Sequence, residues 1–338
     1  MSELRCWFLS KLGVRDLRFG MRGLTNYRLS CCVNTLLQTF SATWELADLL
    51  DKWEAAGVRD SRNVPLQLKK VLAAMRSDHP QPAPHHDFLH CLDRNCLRLS
   101  VQHDADEVFL SILNFMQQQM DDKKLALEIQ NLYKISVETR VQCLECTFVQ
   151  THTSYLLSLP LHIKEEPNYL EGCMTSFFVH QELRGIDCCF CEQCGKKTPS
   201  KQDVKLLSLP PILCVHLKRF RNSCGQTWKL DCSVIFPENF DFSEILKDAF
   251  SPDFAQNDCK YTLHAVVVHS GYAMSGHYTA YVRHRVNQRW YYADDSHVEQ
   301  VTWENVKTSY GGRFRHTAYM LMYRRSSKKE GRQPEFSS

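Results

Sequence analysis

The sequence contains no long uninterrupted hydrophobic run, and this absence excludes several classes of protein. No apolar stretch approaches the roughly 18 residues that a membrane-spanning helix needs, so membrane insertion is not predicted. The opening residues, MSELRCWFLSKLGVRDLRFG, mix charges among apolar residues and lack the apolar centre of a secretory signal peptide. We therefore expect a soluble intracellular protein in the cytoplasm, with the nucleus as a second candidate location.

An excess of one charge is also missing. The chain has 41 Lys and Arg residues against 38 Asp and Glu residues, a net charge of +3. This balance gives no electrostatic basis for nucleic acid or an anionic membrane as the main partner. No internal repeat is evident in the sequence. Neither a nucleic-acid-binding protein nor a repeat protein is predicted, and the chain is expected to act as a monomer.

Cysteine, in contrast, is abundant, with 16 residues in the chain. Without a secretory signal a disulfide framework is not expected, so metal binding, catalysis and packing must share these residues. A doublet, Cys31-Cys32, opens an apolar run, and two CxxC pairs lie further along the chain, Cys143/Cys146 and Cys191/Cys194.

The periodicity of apolar residues changes at about residue 130. Before it, helical spacing recurs over residues 30–57, from Pro65 to Met75 and over residues 102–120, with Ser30 expected as the N-cap of the first helix. After it, short runs rich in β-branched and aromatic residues alternate with turn residues and predict antiparallel strands. Helices followed by strands predict an α+β fold rather than a doubly wound one.

The residues needed for nucleophilic catalysis by cysteine are all present. A helix N-terminus favours a thiolate, and Cys31 lies one residue after the predicted cap, with Cys32 a step further in. His277 begins a predicted strand in SGHYTAYVRH, and Asp294 and Asp295 follow the predicted strand in RWYYADD. Neighbouring strands would bring the base and the acid together. From spacing alone the alternative stays open that both cysteines only pack.

The two CxxC pairs offer four thiolates, the ligand set of a tetrahedral structural zinc. The 44 residues between the pairs exceed the spacing of a compact zinc ribbon. Cys188 forms a further CxxC with Cys191, which leaves the ligand set open. The alternative is a group of reduced cysteines that has lost its metal.

Seven segments, in order along the chain, resemble the sequence motifs of the ubiquitin-specific proteases. GLTNYRLSCCVNTLLQ resembles their cysteine box, YTLHAVVVHSGYAMSGHYTAYVR their histidine box and WYYADDSHV the acid segment that follows it. The remaining segments are QHDADEVFLSIL, LSLPPILCVHLKRF, VIFPENFDFS and TAYMLMY. The resemblance implies a papain-like α+β fold with thumb, palm and fingers.

The implied domain organisation covers most of the chain. A single catalytic domain would span residues 22–324, between an N-terminal extension (1–21) and a flexible basic tail (325–338). Within it the thumb would cover about 22–135, the fingers about 136–205 and 221–258, and the palm about 206–220 and 259–324.

The resemblance also implies roles for individual residues. Cys31 would be the nucleophile, His277 the general base and acid, Asp294 the carboxylate that orients it, Asn26 the oxyanion-hole amide and Asp295 a supporting acid. Zinc would be held at the tip of the fingers by Cys143, Cys146, Cys191 and Cys194. No cofactor is expected for catalysis.

Three further residues bear on substrate binding or catalysis. Asp104 and Glu107 resemble acids that meet an arginine of the modifier tail, although they could equally serve only to stabilise a helix N-terminus. Arg28 stands where the family usually has glycine, and a bulky cation there could alter the loop beside the oxyanion hole, weaken catalysis or change how a substrate tail enters.

Within the family, the likeness is strongest to the interferon-induced branch, which removes the two-lobed, interferon-stimulated ubiquitin-like modifier. The shared features are the Cys-Cys doublet and the segments CCFCEQCGKKTPSKQ, SVIFPENFDFSEIL and DDSHVEQVTWENVKTSYGG. This implies a thiol isopeptidase acting on conjugates of that modifier, with negative regulation of type I interferon signalling through receptor components. The alternatives are a general deubiquitinase and a largely non-catalytic signalling adaptor on a protease scaffold.

Overall fold

A computed structural model describes residues 21–55, 61–77, 79–252, 254, 259–312 and 315–326. The predicted N-terminal extension lies outside these residues except for Met21, and so does the predicted tail beyond Ser326. The chain forms two compact units, the first ending at Asp122 and resuming over residues 277–302, the second made of Lys123–Gly276 and the residues from Trp303 onward. The predicted boundaries of thumb, fingers and palm stay a prediction.

Most of the described helices belong to the first unit. In chain order they are α1 (Cys31–Ala42), α2 (Trp44–Lys52), α3 (Val64–Arg76), α4 (His86–Arg94), α5 (Ala105–Gln119), α6 (Lys123–Tyr133), α7 (Leu170–Phe178), α8 (Phe242–Ile245) and α9 (Trp303–Lys307). Short 3₁₀ turns cover Gly185–Asp187, Lys247–Ala249 and Thr308–Tyr310. Over the part of the chain that the structure describes, none of the helices is both long and apolar enough to span a bilayer.

The described strands begin after α6. They are β1 (Ile135–Cys143), β2 (Val149–Leu156), β3 (Leu159–His162), β4 (Asn168–Tyr169), β5 (Gln181–Leu183), β6 (Cys189–Cys191), β7 (Lys196–Thr198), β8 (Ser200–Ser208), β9 (Ile212–Lys218), β10 (Phe220–Ser223), β11 (Gln226–Lys229), β12 (Val234–Ile235), β13 (Asn239–Asp241), β14 (Lys260–Tyr272), β15 (Ser275–Arg283), β16 (Trp290–Asp294), β17 (His297–Val301) and β18 (His316–Arg325). Helices that precede the strands confirm the predicted α+β class.

Helix α1 is the central element of the first unit. Its apolar residues Leu36, Leu37 and Phe40 are fully buried, and the ring of Phe40 stacks on that of Phe109 in α5 with centroids 5.7 Å apart. The helix packs against α3, α5 and β16. Strand β16 pairs antiparallel with β15 on one side and β17 on the other, so the unit combines helices with a short meander. A helix buried on several sides fixes the position of the residues at its start.

The predicted single helix over residues 30–57 is wrong, because the chain breaks between α1 and α2. Thr43 leaves the helical region at φ −92° and ψ 78°. Its hydroxyl donates to the carbonyl of Thr39, 2.9 Å away, and such a bond competes with regular helical hydrogen bonding. The other two predicted helices are confirmed as α3, with Pro65 in its first turn, and α5.

The segment before α1 lies directly against the turn after β16. Leu24 donates its N–H to the carbonyl of Asp295 at 2.8 Å, and the carbonyl of Gly23 accepts from the N–H of Ala83 at 2.9 Å. A Cβ at Gly23 would lie 2.3 Å from the carbonyl oxygen of Ser296. Only glycine permits this approach, which holds the residues preceding α1 beside the end of β16.

Among the described residues, the second unit contains two larger sheets and the two-stranded pairs β10–β11, β4–β12 and β6–β7. In one larger sheet, the strands follow the order β13, β14, β18, β9, β3, antiparallel except for the parallel pair β3–β9. In the other, β2, β1, β8 and β5 pair antiparallel. Hairpin β6–β7 leaves the second sheet near the end of β1. The strands predicted after residue 130 are therefore confirmed.

Candidate active site and four-cysteine group

Cys31 is the first residue of α1, and the loop before it is held by hydrogen bonds of its own. Ser30 occupies the N-cap position, as predicted, but its hydroxyl does not cap the helix. It accepts instead from the N–H of Tyr27 at 2.9 Å and donates to Oδ1 of Asn26 at 3.3 Å. The predicted N-cap position is therefore confirmed, and the hydroxyl of Ser30 is used by groups of the preceding loop that lie within its reach. Ser30 thereby ties Asn26 to the start of α1.

The two cysteines of the doublet have different surroundings. Cys31 interacts with the side chain of His277, and this interaction raises the pKa of the imidazole. Cys32 is 3 % exposed, and burial is the largest cause that raises the pKa of its thiol well above the ordinary value. Cys32 is therefore a neutral packing residue, and only Cys31 is paired with a basic side chain.

His277 and Asp294 lie on neighbouring strands, as the sequence predicted. Their strands β15 and β16 pair antiparallel with Ala280 opposite Ala293, and His277 Nε2 lies 2.7 Å from Asp294 Oδ1. The interaction with Cys31 is the largest cause that raises the pKa of His277 to about 9; Asp294 also raises it, and burial opposes the shift. With Nε2 engaged by Asp294, Nδ1 is the nitrogen available to Cys31.

Asp295 joins the loop before Cys31 to the helix after it. Its Oδ2 accepts from the amide of Asn26 at 2.8 Å, and its Oδ1 accepts from the amide of Asn34 at 2.7 Å. Asp295 has a left-handed backbone, with φ +49°, and one of its oxygens lies within 4.8 Å of ligand atoms of His277 and Asp294. All five residues that the sequence proposed for catalysis thus lie close together in the first unit.

Two residues of this network were not singled out by the sequence. Asn34 donates to Asp295, and its Oδ1 is 2.9 Å from Nε2 of His85. Burial is the largest cause that lowers the pKa of His85, which is 2 % exposed, so its imidazole is neutral. Asn34 lies inside the quoted cysteine box and could have been chosen from it. His85 ends a proline-rich stretch and lies outside every segment that resembles a family motif, so the sequence offered no reason to choose it.

Arg28, at the usual glycine position, has φ +62°, in the left-handed region that glycine adopts without cost. For a residue with a Cβ this conformation costs roughly 1–2 kcal/mol. The structure therefore gives the physical reason for glycine at this position. In this chain arginine itself adopts the left-handed conformation.

Asp104 and Glu107 lie at the start of α5. Asp104 is the N-cap, and its carboxylate accepts from the N–H of Asp106 at 2.8 Å. Glu107 is exposed in the first turn of the helix. The alternative role of Asp104, stabilising a helix N-terminus, is confirmed. Contact of either acid with a modifier tail stays a prediction.

The two CxxC pairs meet in the second unit. Sγ of Cys146 lies 3.5 Å from Sγ of Cys191, and Sγ of Cys143 lies 3.9 Å from Sγ of Cys194. A tetrahedral zinc with Zn–S bonds of about 2.3 Å would place its sulfurs about 3.8 Å apart. The four-sulfur group consists of these four cysteines and does not include Cys188. Of the two candidate CxxC pairs that contain Cys191, the structure therefore favours Cys191/Cys194 over Cys188/Cys191.

Both CxxC turns have the same backbone geometry. The N–H of Thr147 donates to the carbonyl of Cys143 at 3.0 Å, and that of Gly195 donates to the carbonyl of Cys191 at 2.9 Å. Thr147 and Gly195 have φ values of +61° and +64°. Hydrogen bonds to its sulfur lower the pKa of Cys143 to about 6, and the bond with the side chain of Thr198 is the largest cause. This donor set could hold a thiophilic cation such as zinc.

Comparison with known proteins identifies a family of hydrolases, in agreement with the arrangement of Cys31, His277 and Asp294. Residues 22–323 match the family described as ubiquitin carboxyl-terminal hydrolase. The chain is 34 % identical to the human Ubl carboxyl-terminal hydrolase 18 and 36 % identical to the mouse protein of that name, each over 91 % of this chain and 86 % of the relative. It is 26 % identical to human ubiquitin carboxyl-terminal hydrolase 47, over 90 % of this chain and 27 % of the relative.

These matches extend over almost the whole described chain and include both the cysteine loop and the strands that carry His277 and Asp294. The chain therefore belongs to the ubiquitin carboxyl-terminal hydrolase family and is a cysteine-type hydrolase of ubiquitin-like proteins.

Proposed function

We propose that the protein hydrolyses the isopeptide bond between the Gly-Gly terminus of a ubiquitin-like modifier and a lysine of a target protein. The observation that carries this proposal is the position of His277, which forms a hydrogen bond with Asp294 at 2.7 Å and interacts with Cys31 strongly enough to raise its own pKa. A thiol, an imidazole and a carboxylate in this order form the constellation of a cysteine hydrolase.

In the first step the Cys31 thiolate attacks the carbonyl carbon of the terminal glycine. His277 holds the proton taken from the thiol, and Asp294 stabilises the resulting imidazolium and fixes its orientation. When the tetrahedral intermediate collapses, its C–N bond breaks and the imidazolium gives its proton to the departing lysine amine. A thioester between Cys31 and the modifier remains.

In the second step water hydrolyses the thioester. Neutral His277 takes a proton from the attacking water, and the C–S bond breaks as the free carboxylate of the modifier forms. The proton returns to the Cys31–His277 pair, which is then ready for another turnover.

Asn26 is the proposed donor to the oxyanion that forms in both steps. One of its two amide hydrogens is used by Asp295, at 2.8 Å, so the second is available to the substrate oxygen. Asp295 and Ser30 hold the amide in one orientation, and a donor fixed before the reaction needs no reorganisation during it. This is the supporting role that we assign to Asp295.

The modifier tail is proposed to pass Asp104 and Glu107. Asp104 has one carboxylate oxygen engaged at the helix N-terminus, and Glu107 is exposed. A carboxylate oxygen can accept more than one hydrogen bond, so both acids can accept from a basic side chain of the tail.

We also propose that Cys143, Cys146, Cys191 and Cys194 hold one zinc ion. The sulfur separations of 3.5 and 3.9 Å suit a tetrahedral site. The ion would supply a cross-link between the turn after β1 and the hairpin β6–β7 and would take no part in catalysis.

The finer proposal is that the modifier is the two-lobed, interferon-stimulated one and that its removal, together with receptor components, lowers type I interferon signalling. It is supported by identities of 34–36 % to proteins named Ubl carboxyl-terminal hydrolase 18 over 91 % of the chain. We propose that the protein acts as a monomer in the cytoplasm, with the nucleus as a second location.

A labelling experiment tests both levels of the proposal. The protein would be offered ubiquitin and the interferon-stimulated modifier, each with an electrophile at its C-terminus. We expect labelling by the interferon-stimulated modifier alone, lost in Cys31→Ala and kept in Cys32→Ala, the matched control. Labelling by ubiquitin alone would overturn the modifier assignment, and labelling by neither would favour the signalling adaptor.

A further inference from the structure

A cleft of about 630 Å³ opens in the first unit beside the loop that precedes Cys31. Asn26, Tyr27 and Arg28 form one wall, and residues of α4 and the loop after it, including Arg98, form the other. Because Asn26 is also the proposed oxyanion donor, the cleft borders the position of the reacting carbonyl.

The side chains of the cleft combine positive charge with an apolar floor. Leu89 and Leu99 line it, and the rings of His86 and His90 meet edge to face with centroids 4.2 Å apart. The lining includes two arginines, Arg28 and Arg98, and one acid, Asp93. Within the described residues neither guanidinium has a hydrogen-bond or ion-pair partner, and both residues are exposed. Both guanidinium groups are therefore free to bind a ligand carboxylate.

Arg28 lines the cleft although its backbone conformation is unfavourable for a residue with a Cβ. Its φ of +62° would suit glycine better, so the loop itself gives no reason for a long cationic side chain here. A residue kept in an unfavourable conformation beside a reactive site points to a function of its side chain.

The charge of the cleft also indicates which part of the substrate it meets. Asp104 and Glu107, the proposed contacts of a basic modifier tail, carry the opposite charge. A Gly-Gly terminus carries no charged side chain that could use two guanidinium groups. We infer that the cleft binds an acidic stretch of the target protein next to the modified lysine, and so makes acidic segments the preferred targets.

This inference rests on the proposed hydrolase function, and the test separates the two. Three substrates would carry the modifier selected by the labelling assay: one joined to a fluorescent amine, one to the lysine of a peptide with Asp and Glu flanks, and one to a peptide with Lys and Arg flanks. If the fluorescent substrate is not turned over, the proposed hydrolase function is refuted, and the cleft inference that rests on it falls as well. If the fluorescent substrate is turned over, the two peptides test the cleft inference alone.

We expect the acidic-flanked peptide to be cleaved with a kcat/KM about fivefold above the basic-flanked one at low salt, with the difference shrinking as salt rises. Arg98→Glu should reverse the order while leaving the fluorescent substrate unchanged. Arg94→Ala is the matched control, since Arg94 donates to Ser61 and lies outside the cleft. Equal rates on both peptides, or an equal loss on all three substrates in Arg98→Glu, would overturn the inference.

Discussion

Asn26 donates its side-chain N–H to Asp295 at 2.8 Å, although the two residues come from opposite ends of the chain. The other carboxylate oxygen of Asp295 accepts from Asn34 at 2.7 Å. One carboxylate thus connects the loop before Cys31, the helix after it and the end of β16. The orientation of the proposed oxyanion donor depends on this connection.

Asp295→Asn removes the charge but suits the left-handed backbone at φ +49°, which asparagine tolerates. We expect kcat to fall about tenfold to a hundredfold with little change in KM, because the Asn26 amide loses its anchor. Alkylation of Cys31 by a small reagent needs no oxyanion donor and should keep its rate. An equal loss in alkylation and turnover would show instead that Asp295 acts on the thiolate.

The pH dependence of catalysis should follow His277. Its pKa of about 9 means that the imidazolium persists through neutral pH and loses its proton above about pH 9, so kcat/KM should fall there. Asp294→Asn removes one of the groups that raise this pKa and should move the fall to lower pH. Glu299→Gln, an exposed acid on β17, serves as the control. An unchanged alkaline limb in Asp294→Asn would contradict this prediction.

The same shift predicts a pH dependence of stability. The folded-state pKa of His277 lies above the ordinary value of 6.5, so the stabilisation from its partners is complete below pH 6.5 and is lost as the pH rises through about 9. Urea unfolding of wild type and His277→Gln should therefore differ more at pH 6 than at pH 10. A difference that grows with pH would rule out this assignment.

The φ of +62° at Arg28 predicts that glycine is the more stable residue there. Arg28→Gly should have a free energy of unfolding about 1 kcal/mol above that of Arg28→Ala, since alanine keeps the Cβ that makes the left-handed region unfavourable. Urea unfolding of both variants measures the difference. A more stable alanine variant would mean that the loop changes its backbone path after substitution.

The four-cysteine group predicts about one zinc ion per chain by elemental analysis. Cys191→Ser should lose the metal and lower the free energy of unfolding, because metal binding and folding are coupled. Cys189→Ser, two residues away and outside the four-sulfur group, should retain the metal. A folded wild-type protein without metal would count against the site.

The sequence predicted those features that depend on local pattern or on motif. The apolar spacing from Pro65 to Met75 predicted α3, and the apolar spacing over residues 102–120 predicted α5. The sequence did not predict the break at Thr43, because the apolar spacing continues through it. The hydrogen bond from the Thr43 hydroxyl to the carbonyl of Thr39, which competes with regular helical hydrogen bonding, is visible only in the structure. The contacts of Asp295 and His85 with Asn34 join segments far apart in the chain, so no local pattern contains them.

The first unit draws its residues from two distant parts of the chain, the first ending at Asp122 and the second running from residue 277 to 302. During translation, Cys31 is therefore synthesised more than two hundred residues before His277. At ordinary translation speeds this interval lasts about 10–50 s. A nascent or prematurely terminated chain without residues 277–302 would be inert toward conjugates, so the enzyme becomes competent only after these residues have been synthesised.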